Sequence, residues 1–346
     1  MDPTEWLMEN AGPVIRYRVS HELLGDNNIS YENELLSSKL VQKWLSYLNP
    51  RFGQSQLHNA KPDAFENTMG KLYEFGLRKG IESFDKRVEP FLEWLKIEAH
   101  PFSKILVVGF LCMTGYSEEE QVDNVVQRRL EIVYDYVKHG DLREAYIDTE
   151  SIGKIPVNFR GYPILNSNLQ TEYGSKLPSI HDIQAFLHSG PVMKNKGTQT
   201  KAETIIEFIL SKEYQALYPD YGVLYEPKTK KFYSMGWSLH LSDYIKEHPY
   251  SKGIQKSICV DQSNLLRINL LSRTKTARNS VWFKRNLEKL DQYFSENLYS
   301  FPRSMLRELG SGYWVSGRRM GLEENRRTSR AITAESTFRM LETRSR

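Results

Sequence analysis

The chain has 346 residues, 40% hydrophobic and 26% charged, enough for a sizeable buried core in one large domain. A net charge of +4 is too small for a general polyanion-binding surface, so nucleic acid is not an expected partner. The two cysteines, Cys112 and Cys259, lie far apart in sequence and form no disulfide framework or zinc spacing, and neither metal nor cofactor is expected. No apolar run reaches membrane-spanning length, and the acidic opening MDPTEWLMEN lacks the apolar core of a secretory signal, so a cytoplasmic protein is expected.

In chain order, residues 3 to 24 read as a helix pair. Trp6 and Leu7 supply one apolar face; Pro13 opens a second helix with Ile15, Val19, Leu23 and Leu24 inward, and Gly25 closes it. Leu36, Leu40, Val41, Trp44, Leu45 and Leu48 form a helical stripe that Asn49-Pro50 ends. A loop carrying His58 and Asp63 follows, then a short helix through Phe65, Met69 and Leu72 that stops at Gly76. Phe84 to Leu95 is a helix that Pro90 kinks or delays. Ile105 to Met113 is apolar on nearly every side and reads as a buried inner helix. Ser117 with Glu120 has capping-box spacing ahead of the helix through Val122 and Val137. Residues 141–178, rich in Gly and Pro, read as an irregular inserted loop. Helices return around Ile183 and Ile205, and GVLYEPKTKKFYSMGW reads as a hairpin turning at Pro227 to Lys230. Phe283, Leu287, Leu290 and Phe294 make a last stripe.

The end of the chain is the densest in chemistry. From Phe301 onward there are ten arginines and no lysine. Arginine pairs bidentately with carboxylates and phosphates and stacks on rings. Gly310, Gly312, Gly317 and Gly321 punctuate the stretch, and Tyr313 and Trp314 sit between them. Glu323, Glu324, Arg326 and Arg327 then look like the opening of a final helix that reaches Met340. The segment 301–346 reads as the wall or lid of a cavity, or as a clasp of Arg–Glu pairs holding the last helix on the body.

The segments WLMENAGPVIRYRVSHELLG, YGVLYEPKTKKFYSMGWSLHL and FPRSMLRELGSGYWVSGRRMGLEENRRTSRAITAESTF resemble bacterial and archaeal proteins of the prenyltransferase and squalene-cyclase-like superfamily. The resemblance implies an all-α fold: an α/α toroid, here one domain spanning 1–346, with a small β-hairpin and irregular loops. It implies a central cavity and an apolar or isoprenoid small molecule as ligand. The family's DxDD acid and QW repeats are missing, and Cys259 with Asp261 reverses its DxC zinc pattern.

Four groups of residues are candidates for chemistry. His58, near Asp63 and Glu66, could do acid–base work, or be a solvated loop residue. His181 and Asp182 open a helix, where Ser179 explains Asp182 as the second half of a capping box. Tyr233, Trp237 and His240 cluster in FYSMGWSLHL, as a ligand wall or as hairpin packing. Tyr313, Trp314, Arg318, Glu324 and Arg327 are the fourth group. Glu324 is its candidate acid, provided that it lies in an apolar cavity. His58, His240, Asp182 and Glu324 are thus the catalytic candidates; Tyr233, Trp237, Tyr313, Trp314, Arg318 and Arg327 would line the ligand. The alternatives are a non-catalytic helical module with a protein partner and, last, a nucleic-acid-binding helical protein.

Overall fold

The computed structural model describes residues 1–97, 99–241, 260–306 and 311–346. Among them 61% are helical and 7% in strands, with 17 α-helices and small sheets. Cys259 and Gly310 lie outside the described residues. The chain forms two compact units, one of residues 1–98, 113–116 and 256–346, the other of 99–112 and 117–255.

The first unit is built around the helix Phe65–Glu74, all ten residues of which are buried. Its apolar residues alone would give one inward stripe. It is buried on every side because each polar side chain meets a partner, as buried polar groups require. Asn67 donates to the carbonyls of Asn59 and Lys61 at 2.9 and 2.7 Å and accepts the Trp314 N–H at 2.8 Å. Thr68 donates to the Pro62 carbonyl at 3.0 Å, and Lys71 to that of Gly321. Gly76, at φ +85°, closes the helix, with Leu77 N–H bonded back to Leu72 O at 3.0 Å. The helix Lys39–Tyr47 packs beside it, as does the turn Trp314–Ser316.

The C-terminal helix Ser329–Arg344 packs on Pro3–Asn10, Pro13–Arg18 and Val260–Leu271. It starts later than the sequence suggests. Thr328 caps it, accepting from Ala331 N–H at 3.2 Å, so Glu323 and Glu324 precede the helix. Other boundaries also move. Leu36 belongs to the helix Ile29–Ser37, and the next begins after Ser38. The second helix ends at Arg18, a π-turn covers Val19–Leu23, and Leu24 is 55% exposed. The helix Val281–Asp291 stops short of Phe294, which is exposed in a hairpin whose turn residues Glu296 and Asn297 both have positive φ.

The second unit holds the buried part of the helix Pro101–Met113 and the helices Glu120–His139, Ile180–His188 and Lys196–Leu210. Glu120–His139 packs against both of the latter. Glu119, not Ser117, precedes its first turn; Ser117 Oγ instead accepts the Gly190 N–H at 3.1 Å. The irregular 141–178 region supplies β1 (Tyr146–Ile147) and β2 (Ile164–Leu165), and the two-stranded sheet of β3 (Gln170–Thr171) and β4 (Gly174–Ser175); the first two join a sheet ordered β1-β2-β5-β6, where β5 is Val223–Glu226 and β6 is Lys231–Ser234. β2 and β5 are parallel and the other pairs antiparallel. The β5–β6 hairpin turns over residues 227–230, as the sequence suggests.

Candidate functional site

In the first unit the arrangement with acid–base geometry is a corner of three side chains. Glu66, on the first turn of Phe65–Glu74, is fully buried. Its Oε2 lies 2.5 Å from His58 Nδ1. A carboxylate only accepts, so Nδ1 carries a proton in this pair, and Nε2 is the nitrogen that would act on a ligand. His58 follows the short helix Gln54–Leu57, and its side chain keeps 19% exposure. Its ring stacks on Tyr313 with centroids 4.6 Å apart and planes 20° apart. Burial and the neighbouring Glu66 charge push the Tyr313 phenol up. Glu66 Oε1 is buried and has no hydrogen-bond partner among the described residues. Asp63, the other carboxylate near His58 in sequence, instead faces Arg51 at 3.9 Å on the surface.

The rest of the 311–327 segment wraps the same helix. Gly312 N–H and Arg319 Nη2 both donate to the Ala60 carbonyl, at 3.1 and 2.9 Å. Trp314 is 2% exposed, lies edge-on to Tyr73 at 6.1 Å and covers Gly70. Arg318 is half-buried over Gly312. Arg327 is exposed, and its carbonyl accepts from Arg303 at 2.7 Å. Glu324 does not sit in an apolar cavity: it is exposed and accepts the Ser38 hydroxyl at 3.1 Å.

Behind this segment lies an ionic latch. Glu335, fully buried, takes Arg326 through Nε and Nη2 at 2.8 and 2.9 Å and Arg339 at 3.3 Å. Arg339 also reaches Glu74 at 3.3 Å. Glu342 accepts Arg18 and Arg346, both at 2.6 Å, and Asn269 at 2.8 Å. Burial alone would raise the Glu342 carboxyl; Arg18, Arg346 and Arg339 outweigh it and hold the group well below the usual range. A carboxyl lowered on folding stabilises above its unfolded value of 4.5, and that stability is lost as pH falls below it. Glu342→Gln is therefore expected to cost about 2 kcal/mol at pH 7 and to flatten the loss of stability below about pH 4.5. Urea unfolding at a series of pH values measures both. An unchanged acid limb would show that Glu342 does not carry it. The cavity beside the latch, lined by Leu265, Ile268, Asn269, Leu290 and Met340 among others, has room for about one water molecule, far below a ligand pocket of roughly 300 Å³.

In the second unit the candidates are bound into structure. Asp182 completes both halves of the capping box with Ser179, accepting its N–H and its hydroxyl at 2.8 Å. The same carboxylate takes Arg129 through Nε and Nη2 at 2.9 and 3.1 Å. It thus accepts four hydrogen bonds, three at Oδ2 and one at Oδ1. His240 is 2% exposed; Nε2 donates to the Leu217 carbonyl at 2.9 Å, which leaves Nδ1 to accept the Ser238 hydroxyl at 2.5 Å. The ring stacks on Tyr214, whose buried phenol is pushed up and bonds Tyr221 at 2.7 Å. Trp237, at φ +71°, donates its N–H to Asp220 at 3.1 Å and tilts over buried His181 at 6.5 Å. Tyr233 is 43% exposed on β6.

His58, Tyr313, Trp314, Arg318, Glu324 and Arg327 thus belong to the first unit, and Asp182, Tyr233, Trp237 and His240 to the second. Of the first group, His58, Tyr313 and Trp314 gather along Phe65–Glu74. No group of metal-binding side chains occurs among the described residues. No protein-family model, curated protein or solved structure matches the chain.

Proposed function

We propose that the chain is a helical small-molecule-binding protein, enzyme-like in its His58–Glu66–Tyr313 corner, where His58 exchanges a proton with a bound apolar ligand. The observation that carries this is Glu66, fully buried yet engaged at 2.5 Å with an imidazole that keeps 19% exposure. An orienting carboxylate behind a histidine fixes its tautomer and stabilises its protonated form. The Tyr313 ring supplies an apolar wall beside it. Its resemblance to the isoprenoid-handling superfamily supports that ligand class and an α/α toroid as the scaffold.

Prenyl diphosphates and hydrocarbon mimics are the ligands to try, because a ligand bound only to the native state raises its unfolding temperature. His58→Gln is expected to keep that rise and to lower conversion of the ligand, followed by mass spectrometry, about 100-fold or more. Glu66→Gln should lower conversion and alter its pH profile. Absence of a thermal rise with every such ligand would overturn the ligand class. Full conversion by both variants would overturn the role of the corner. A second reading, a non-catalytic helical module with a protein partner, is favoured by the latch, which spends Arg18, Arg326, Arg339 and Arg346 on internal carboxylates. It predicts a stoichiometric partner whose binding survives both substitutions. The same pairing leaves fewer cations for a nucleic-acid surface.

A further inference from the structure

The sheet of the second unit ends on β6, which has β5 on one side and no strand on the other among the described residues. The ladder fixes which backbone groups face that open side. Met235 N–H bonds the Gly222 carbonyl at 3.0 Å, so this pair is a hydrogen-bonded one. In an antiparallel ladder such pairs alternate with open pairs. The register Leu224↔Tyr233 and Glu226↔Lys231 therefore uses up the backbone groups of Tyr233 and Lys231. Those of Phe232 and Ser234 point outwards, and neither residue has a backbone partner there among the described residues. Two outward N–H and C=O sets, two residues apart, have the spacing that an added strand matches.

The side chains say what kind of strand would fit. Successive residues of a strand point to opposite faces. Phe232 lies on one face, where its ring is 4.9 Å from that of Tyr225 and stacks on Phe159 at 5.9 Å. Lys231 and Tyr233 lie on the other, and both are exposed, as is Ser234. Lys228 and Lys230 are exposed at the hairpin tip. The stretches 153–162 and 223–234 hold five cations against one acid, Glu226, whose carboxylate takes the Thr229 hydroxyl at 2.7 Å. Lys228, Lys230 and Lys231 have no ion-pair or hydrogen-bond partner among the described residues. A second copy of the chain is disfavoured as the occupant. β6 laid against β6 would bring the three lysines of each copy together, and edge lysines work against such pairing. The same charges favour an acidic strand.

We infer that the open edge of β6 binds an extended acidic segment of a partner protein by strand addition. The backbone of that segment pairs with Phe232 and Ser234. Its acids, at every second residue, share the face of Lys231 and meet the lysines of the hairpin. Its intervening apolar residues share the face of Phe232. This surface belongs to the second unit and does not rest on the role given to His58.

The test titrates the full chain into a labelled peptide of about eight residues that alternates glutamate and valine, followed by fluorescence anisotropy. Saturable binding that weakens with salt is expected. A peptide of the same composition with its glutamates and valines in separate blocks should bind about 10-fold more weakly or worse. N-methylation of one alternate set of peptide nitrogens should abolish binding, and of the other set leave it. Loss on methylating the valines identifies an antiparallel strand; loss on methylating the glutamates identifies a parallel one. The triple variant Lys228→Ser, Lys230→Asn, Lys231→Thr should bind about 10-fold more weakly with its far-UV spectrum kept. If that variant fails to fold, the methylated peptides decide on the unaltered chain. No binding, equal binding of the block peptide, indifference to both methylations, or full binding by a folded triple variant overturns the assignment. Displacement of the peptide by oligothymidylate overturns it in favour of single-stranded nucleic acid, and a dimer that the peptide dissociates overturns it in favour of a second copy.

Discussion

Gly70→Ala should destabilise the first unit by upwards of about 3 kcal/mol, although alanine is the better helix former. A Cβ at this position would stand 2.3 Å from Trp314 Cγ, 2.4 Å from Cδ2 and 2.8 Å from Cδ1. These atoms form the rigid base of the indole, so no torsion of a flexible end relieves the clash. The ring cannot retreat cheaply either. The Trp314 backbone N–H, from which the ring hangs, is bonded to Asn67 at 2.8 Å, and Asn67 is itself tied to Asn59 and Lys61. Denaturant unfolding followed by tryptophan emission gives the loss and reports the displaced indole. Pairing Gly70→Ala with Trp314→Leu makes room for the methyl, so the double variant should lose less than the sum of the singles. A Gly70→Ala protein as stable as wild type would mean that the 311–327 segment does not lie on this helix.

Arg339→Ala should cost on the order of 3–5 kcal/mol, the range for stranding one side of a buried ion pair. Two carboxylates lose their common cation. Glu74 and Glu335 both sit in the interior, each 3.3 Å from Arg339, and the Met320 carbonyl loses a donor as well. Glu335 still has Arg326. Glu74 has less support, and burial already pushes its carboxyl up. Its raised value makes Glu74 favour low pH, since the native state takes up its proton more readily than the unfolded chain. The deficit of Arg339→Ala should therefore shrink as pH is lowered towards 4.5, once Glu74 can be neutralised. Arg339→Met with Glu74→Met should recover much of the loss, because an apolar pair replaces the isolated charges. Urea midpoints at pH 7 and pH 5 for the three proteins check this. A deficit independent of pH would point to lost packing instead.

The parts of this fold that can be read from the sequence are those set by local rules. The hairpin 223–234 follows from aromatic strands around Pro227 to Lys230, and the Ser179–Asp182 box follows from spacing. The stripe Val41, Trp44, Leu45 follows from helical period. The errors come where distant partners decide. In sequence the helix Phe65–Glu74 shows only the stripe Phe65, Met69 and Leu72; Glu66, Asn67, Lys71 and Glu74 are buried as well because residues 58–62, 314–321 and 339 satisfy them. Phe294 fits the period of the preceding helix, but the Glu296–Asn297 turn takes it into a hairpin. Ser117 has the right spacing for a cap and is used by Gly190 instead. At the corner, the nearness of His58 to Glu66 in sequence is legible; the Tyr313 platform, more than 240 residues away, is not.

The Arg18–Glu342 contact joins residues 324 positions apart, and Trp314–Asn67 joins residues 247 apart. During synthesis the opening segments of the first unit leave the ribosome long before the strand of chain that neutralises and covers them. Residues 99–255 can complete their own unit in that interval. The early helices must wait, with Glu74 still hydrated, until the last helix supplies Arg339. Loss of the last helix would leave Glu74 without Arg339.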